Sequence, residues 1–255
     1  MRLYILILML FTSIVTYAAP QTPIDGIKDS KQLLLVIAPT WNDPVASLQR
    51  YQRDKNNQWT KVGEPIPVFV GKKGMAWGTP FQPNSNDPIK HEGDGKAPAG
   101  VFNIGDEFGF GPQKNKHMAY LQLTDTSFCA DDINSTHYNQ VIDISTVRPD
   151  WGPNTGELMG PHHQPLYEKG ALVQYNSTGI VDKKLGGRGS CIFIHIWRHP
   201  PSEISTENGT AGCVAMEKAN LEEVLNWLNS KKKPLIALFP QDPYNSVKKQ
   251  WDLPI

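Results

Sequence analysis

The segment TAGCVAMEKANLEEVLNWLN, residues 210–229, joins a Gly-Cys turn to the one stretch of the chain that has helical periodicity. Apolar side chains within residues 217–229 recur at a spacing that places them on one face of a helix. These side chains are Leu221, Val224, Leu225 and Leu228. The sequence therefore predicts one principal helix, with Cys213 in a turn shortly before it.

Most of the remaining chain consists of short β-type segments separated by Asn, Asp, Pro and Gly. The chain contains 21 glycines and 21 prolines, which suits frequent turns and long loops. The sequence thus predicts a mainly β domain, a sandwich or barrel-like sheet with one principal helix at about 217–229. The predicted strands lie at 31–38, 47–54, 59–70, 101–104, 120–124, 141–145, 171–176, 191–197 and 234–239.

The first 18 residues have the layout of a secretory signal peptide. Arg2 precedes an apolar run from Leu3 to Val15, and the small residues that follow suit cleavage after Ala18. The alternative is a membrane anchor, but a run of about 13 residues is short of the roughly 20 that span a bilayer. We therefore expect residues 19–255 to form a single exported domain, periplasmic or secreted, with no stable membrane anchor after cleavage.

Charge and histidine spacing argue against nucleic-acid and metal partners. The chain has 25 basic and 25 acidic residues, and its longest run of like charge is residues 231–233. His195 and His199 are four residues apart, but Pro200 and Pro201 follow, so no helix places both imidazoles on one face as zinc pairs require. We expect no nucleic-acid partner, no metal site and no cofactor.

The three cysteines, Cys129, Cys191 and Cys213, leave one thiol over after any single disulfide. Cys213 is the best candidate for the free thiol, because it follows Gly212, whose missing side chain permits close approach of a substrate. Backbone N–H groups near the start of the predicted helix are expected to favour a thiolate there and later a developing oxyanion. The pattern predicts a cysteine nucleophile.

A thiolate nucleophile needs a base within hydrogen-bond reach, and that base is usually a histidine. In CIFIHIW, residues 191–197, strand alternation places Phe193, His195 and Trp197 on one face. His195 precedes Cys213 by 18 residues and is the candidate base. The alternative is a core histidine whose ring bonds a backbone carbonyl.

His195, Gly209 and TAGCVAM (210–216) resemble the signature of the L,D-transpeptidase catalytic domain, the YkuD-like family. In that signature a histidine precedes a Ser/Thr-x-Gly-Cys-x-x-Met block. The likeness covers most of residues 70–230, which is the expected extent of the catalytic core. Further segments that resemble one secreted branch of the family are 71–78, 92–104, 129–143 and 189–197.

The resemblance implies a β-rich cysteine enzyme that acts on bacterial peptidoglycan stem peptides. Cys213 would attack the carbonyl after the third stem residue, release the D-amino acid and pass the acyl group to an amine. His195 is implied as the base, with the N–H groups of Gly212 and Cys213 as oxyanion donors. Two alternatives stay open, an L,D-carboxypeptidase that uses water as acceptor and a non-catalytic envelope protein that binds peptidoglycan.

The chain also departs from the family pattern beside both catalytic candidates. Many members have an arginine two residues after the cysteine, where this chain has Ala215, and Ser or Gly soon after the histidine, where it has Ile196 and Trp197. A backbone carbonyl can orient the histidine ring without an acidic side chain. We assign substrate binding to Arg198 and Thr210. Two further candidate cations for the substrate carboxylates are Arg188 and Lys96.

The resemblance also implies a disulfide. Cys129 and Cys191 both lie in the segments that match the secreted branch, and pairing them would leave Cys213 free. The alternatives are two separate buried thiols or a Cys191–Cys213 bridge, and the latter would block the nucleophile.

Overall fold

The computed structural model describes residues 27–78, 87–177, 187–198 and 208–255. The predicted signal peptide at 1–18 lies outside the described residues. The described strands are β1 (Gln32–Ala38), β2 (Val45–Arg53), β3 (Trp59–Phe69), β4 (Met75–Trp77), β5 (Ala97–Gly109), β6 (Tyr120–Gln122), β7 (Ser127–Ala130), β8 (Gln140–Asp143), β9 (Glu157–Leu158), β10 (Lys169–Val173), β11 (Phe193–Ile196), β12 (Val214–Met216) and β13 (Leu235–Pro240). The described α-helices are α1 (Lys218–Trp227) and α2 (Gln241–Val247), and short 3-10 helices lie at Ile27–Asp29, Pro165–Tyr167 and Ser230–Lys232.

The main sheet closes on itself. Its strands follow the order β10–β11–β12–β3–β2–β1–β13–β5, and β5 then pairs with β10. β4 and β6 extend β5 by short parallel pairings, and β8, β7 and β9 form a separate small sheet. Closure leaves the ring without open strand edges, which are a liability for aggregation. The prediction of a mainly β, barrel-like fold with one principal helix is confirmed.

Strand β1, whose sequence QLLLVIA is apolar from its second residue on, is buried on both faces. β1 pairs with β2 on one side and runs parallel to β13 on the other. The chain after β13 covers this region, with Trp251 and Leu253 buried in the main core. Trp251 packs against Phe239 of β13 and against Trp77. The C-terminal segment is therefore part of the core.

Helix α1 matches the predicted helix within two residues at each end. Its apolar stripe, Leu221, Val224 and Leu225, is buried as the periodicity requires. The helix ends where Leu228 becomes extended, and Asn115 Nδ2 donates to the carbonyl oxygens of Leu225 at 2.8 Å and Leu228 at 3.0 Å. The amide adds a second donor to the Leu225 carbonyl, which already accepts the Leu228 N–H, and supplies a donor to the Leu228 carbonyl just beyond the helix.

Four short strands and the second helix were not predicted. The strands β4, β7, β9 and β12 have two to four residues each, too few for a two-residue period to be recognised. Helix α2 has seven residues and contains Pro243, so its sequence carries little helical signal. The strand that matters most for the site is β12, which directly follows Cys213.

Candidate active site

Strands β11 and β12 bring the two catalytic candidates together. The strands form a parallel pair in which His195 lies opposite Ala215. Side chains alternate along a strand, so Cys213, two residues before Ala215, lies on the same face as His195. The predicted common face of Phe193, His195 and Trp197 follows from the same register. The fold therefore places a cysteine and a histidine on adjacent strands of one sheet face.

That face forms one wall of a cavity of about 530 Å³. Both Cys213 and His195 line it, and each side chain is largely buried. A cavity of this size is typical of a small-molecule or peptide site. Charged and aromatic side chains that complete the wall include Lys72, Lys90, Glu92, Glu157, Tyr167 and Arg198.

The Cys213 thiol lies between two backbone groups. Its sulfur is 3.4 Å from the N–H nitrogen of Phe193 and 3.4 Å from the carbonyl oxygen of Cys191, to which the thiol donates. Burial raises the pKa of the thiol to about 12, the negative charge of Glu157 adds to this, and the Phe193 N–H opposes it. At neutral pH Cys213 is therefore a thiol. The expected stabilisation of a thiolate by the helix start is wrong, because β12 separates Cys213 from α1.

The His195 imidazole is held by the main chain. Its Nδ1 lies 2.7 Å from the carbonyl oxygen of Ile196. A carbonyl only accepts, so Nδ1 carries the hydrogen and Nε2 keeps a lone pair. The ring also meets Tyr167 edge to face, with 5.4 Å between centroids. Burial lowers the pKa of His195 to about 4, the Arg198 charge lowers it further and the Ile196 carbonyl opposes this. The ring is a neutral base at pH 7.

Thr210 shapes the turn that presents Cys213. Its hydroxyl donates to the Cys213 carbonyl oxygen at 2.7 Å and accepts from the Gly212 N–H at 3.0 Å. A Cβ at position 212 would stand 2.9 Å from the Lys96 carbonyl oxygen, so glycine permits this close packing. Two expectations change as a result. The Thr210 hydroxyl is engaged by the backbone, and the Gly212 N–H assigned to the oxyanion already has a partner.

Among protein-family models, that of the L,D-transpeptidase catalytic domain matches the chain over residues 43–236. This range contains β11, β12 and the cavity wall around Cys213. The chain belongs to the L,D-transpeptidase catalytic-domain family. Comparison with curated proteins and with solved structures gives no match.

In this L,D-transpeptidase domain a disulfide lies directly beside the cavity. Cys129 of β7 is bonded to Cys191, with 6.1 Å between their Cα atoms. Cys191 has a φ of 54°, which is uncommon for a residue with a side chain, and its N–H donates to Asn139 Oδ1 at 2.9 Å. Cys213 is the free cysteine, so the alternative Cys191–Cys213 bridge is not formed. The disulfide fixes the residue whose carbonyl contacts the Cys213 thiol.

Two residues that sequence reasoning missed line the cavity together with Cys213 and His195. The Tyr167 hydroxyl donates to Glu157 Oε1 at 2.8 Å, and both side chains line the cavity. Burial raises the pKa of the Glu157 carboxyl, the Tyr167 hydrogen bond lowers it and the charge of Asp131 raises it again. Glu157 comes from a two-residue strand and Tyr167 from a 3-10 turn, so neither has a periodicity that reveals its position.

The candidate cations are placed differently from one another. Arg198 lines the cavity, as its assignment to substrate binding requires. The Lys96 ammonium donates to the Lys73 carbonyl oxygen at 2.6 Å, which engages it outside the cavity wall. Lys90, which was not singled out from the sequence, is buried at the cavity and forms an ion pair of 2.6 Å with Asp94. Arg198, Lys72 and Lys90 thus place positive charge on the cavity wall, and the charge of Lys90 is paired with Asp94.

No group of three or more His, Cys, Asp or Glu side chains among the described residues is placed to hold a metal ion. None of the described helices is long and apolar enough to cross a membrane.

Proposed function

We propose that this protein is an exported peptidoglycan L,D-transpeptidase with Cys213 as nucleophile and His195 as base. The observation that carries the proposal is the pairing of a free cysteine with a neutral histidine on one cavity wall. The Ile196 carbonyl fixes the tautomer that leaves Nε2 able to accept a proton. Membership of the L,D-transpeptidase family supplies the reaction class.

In the first half-reaction the Cys213 sulfur attacks the carbonyl carbon between the third and fourth residues of a stem peptide. Both groups are neutral in the free protein, so the thiol proton moves to His195 Nε2 as the C–S bond forms. The tetrahedral oxyanion is assigned to the Cys213 N–H, because the Gly212 N–H is engaged by Thr210. His195 then protonates the leaving amine, which releases the D-amino acid and leaves a thioester.

In the second half-reaction an acceptor amine attacks the thioester carbonyl and Cys213 leaves as the thiol. The positive charges of Arg198, Lys72 and Lys90 on the cavity wall suit the carboxylates of stem peptides. The Cys129–Cys191 disulfide suits an oxidising compartment outside the cytoplasm, and the signal peptide predicted from the sequence supports export.

The experiment is to incubate the purified protein with disaccharide-tetrapeptide fragments and to identify products by mass spectrometry. Cross-linked dimer that has lost one D-alanine is the expected product, and Cys213→Ala should form none. Tripeptide without dimer would indicate a carboxypeptidase instead. No turnover by a protein whose Cys213 is still alkylated by iodoacetamide would favour a non-catalytic peptidoglycan-binding role.

A further inference from the structure

The Glu157 carboxylate is an unusual neighbour for a cysteine nucleophile. It lines the same cavity as Cys213 and lies close enough for its charge to raise the pKa of the thiol. A negative charge there opposes thiolate formation and would repel the oxyanion of the acylation step. Glu157 therefore does not assist the first half-reaction. A carboxylate in this position is suited to bind a positively charged ligand.

Glu92, a neighbouring carboxylate of the cavity, is already engaged by two protein donors. Glu92 Oε2 accepts from the Tyr138 hydroxyl at 2.6 Å and from the Ser190 hydroxyl at 2.9 Å. Asp131 accepts the Gly156 backbone N–H, and among the residues described it lacks the contact through Tyr167 that joins Glu157 to His195. In the part of the chain that the structure describes, the Glu157 carboxylate has a single hydrogen-bond donor, the Tyr167 hydroxyl. Glu157 thus keeps acceptor capacity that faces the cavity.

Tyr167 connects Glu157 to the catalytic base. Its hydroxyl donates to Glu157, while its ring packs edge to face on His195. A group bound by Glu157 would consequently lie beside the imidazole that must take a proton from the incoming nucleophile. The ring of Tyr167 is also buried against Phe108 and Phe193, so the hydroxyl has a fixed position.

We propose that Glu157, positioned by Tyr167, binds the ammonium group of the acceptor and so selects an amine over water in the second half-reaction. The inference rests on the proposed function and assigns a ligand class, a primary ammonium, to one subsite of the same cavity. It names the residue that separates transpeptidation from hydrolysis, a distinction that the cysteine and histidine alone do not make.

Two protons leave the acceptor nitrogen in this step. The bound ammonium gives one proton to Glu157 and becomes a neutral amine, whose nitrogen then bonds to the thioester carbonyl carbon. As the C–S bond breaks, His195 Nε2 removes a second proton from that nitrogen and delivers it to the Cys213 sulfur. The products are an amide with one N–H, a thiol and a protonated Glu157, which returns its proton to water. Burial raises the pKa of Glu157, which favours its acceptance of the proton.

The test compares wild type with Glu157→Gln in the disaccharide-tetrapeptide assay, measuring the ratio of dimer to tripeptide. Glutamine keeps an acceptor for the Tyr167 hydroxyl but loses the charge. We expect the ratio to fall at least tenfold, with tripeptide formation retained, and Glu157→Asp to restore part of it. Tyr167→Phe should lower the ratio in the same direction. Glu168→Gln, which removes a carboxylate paired with Lys218 outside this cavity, should leave the ratio unchanged.

Alkylation of Cys213 by iodoacetamide provides a readout that needs no substrate. Removing the Glu157 charge should speed alkylation at neutral pH, because that charge raises the pKa of the thiol. An unchanged ratio in Glu157→Gln, or an equal fall of dimer and tripeptide, would overturn the inference while leaving the transpeptidase proposal intact. Failure of the wild type itself to form dimer would instead overturn the proposed function.

Discussion

The Cys213 sulfur lies 3.4 Å from the carbonyl oxygen of Cys191, and Cys191 is itself bonded to Cys129 by the disulfide. The covalent bridge therefore holds a direct neighbour of the thiol. Because the backbone of Cys191 adopts a positive φ, its position depends on its surroundings more than that of an ordinary strand residue. Stability and thiol position are linked through this one residue.

Removing the disulfide should destabilise the protein and disturb the site. The bridge joins residues 62 apart in sequence, for which the chain-entropy treatment gives about 4 kcal/mol of stabilisation. We expect the double variant Cys129→Ala/Cys191→Ala to lose a stability of this order in urea unfolding and to alkylate Cys213 at a changed rate. Dithiothreitol should reproduce the effect in wild type and have none on the variant. Equal stability of the two proteins would contradict the structural role of the bridge.

Gly212→Ala should damage the turn before Cys213. The added methyl group would approach the Lys96 carbonyl oxygen to 2.9 Å, a contact that forces the backbone to shift. We expect a loss of about 1–3 kcal/mol in the free energy of unfolding, together with reduced acylation. Gly111→Ala is the matched control, since a Cβ there meets no atom within 4 Å. Similar stability losses in the two variants would argue against the clash.

Thr210→Val should weaken the same turn by a different route. The valine is close in size to threonine but can neither donate to the Cys213 carbonyl nor accept from the Gly212 N–H. Leaving such groups without a partner costs about 1–3 kcal/mol. Thr210→Ser keeps the hydroxyl and should retain most of the activity. If valine and serine variants acylate equally fast, the Thr210 hydroxyl does not position Cys213.

The acid limb of the pH–rate profile should lie unusually low. His195 has a pKa of about 4, so it remains an unprotonated base well below the ordinary histidine value of about 6.5. We expect kcat/KM for acylation to fall with a midpoint near pH 4. A midpoint near 6.5 would show that the free imidazole is more solvated than its burial indicates.

The same group makes stability depend on pH. Folding lowers the pKa of His195, so the unfolded chain binds more protons between pH 6.5 and about 4. Stability should therefore be lost as the pH falls through this window, by roughly 3 kcal/mol for this residue. Replacing the residue, as in His195→Gln, should remove that part of the slope, which urea unfolding at several pH values measures.

Much of the fold was accessible from sequence because its long strands and helix carry clear periodicity. The apolar run of β1 and the stripe of Leu221, Val224 and Leu225 give local signals that the packed structure preserves. The common face of Phe193 and His195 likewise follows from alternation within β11. The short strands become strands only by pairing with neighbours, so their own sequences do not reveal them.

The residues of the site also divide into those that the sequence reveals and those that only the folded structure reveals. Cys213 and His195 stand out because their residue types and spacing match a known signature, whereas Glu157 and Tyr167 reach the cavity only through tertiary folding. The expectation that the helix start stabilises a thiolate at Cys213 was wrong for a related reason. Position before a helix suggested a helpful dipole, but β12 intervenes and burial raises the pKa of the thiol. Electrostatics at the site depend on solvent exclusion, which local sequence does not encode.

The most direct test of the central claim is intact-protein mass spectrometry after brief mixing with a disaccharide-tetrapeptide donor. The account predicts a covalent adduct of the disaccharide-tripeptide acyl group on Cys213, absent in Cys213→Ala and formed 10²- to 10⁴-fold more slowly in His195→Ala. The adduct should disappear when an amine acceptor is added, as dimer forms. Cross-linked product from Cys213→Ala, or an adduct that peptide mapping assigns to another residue, would contradict it.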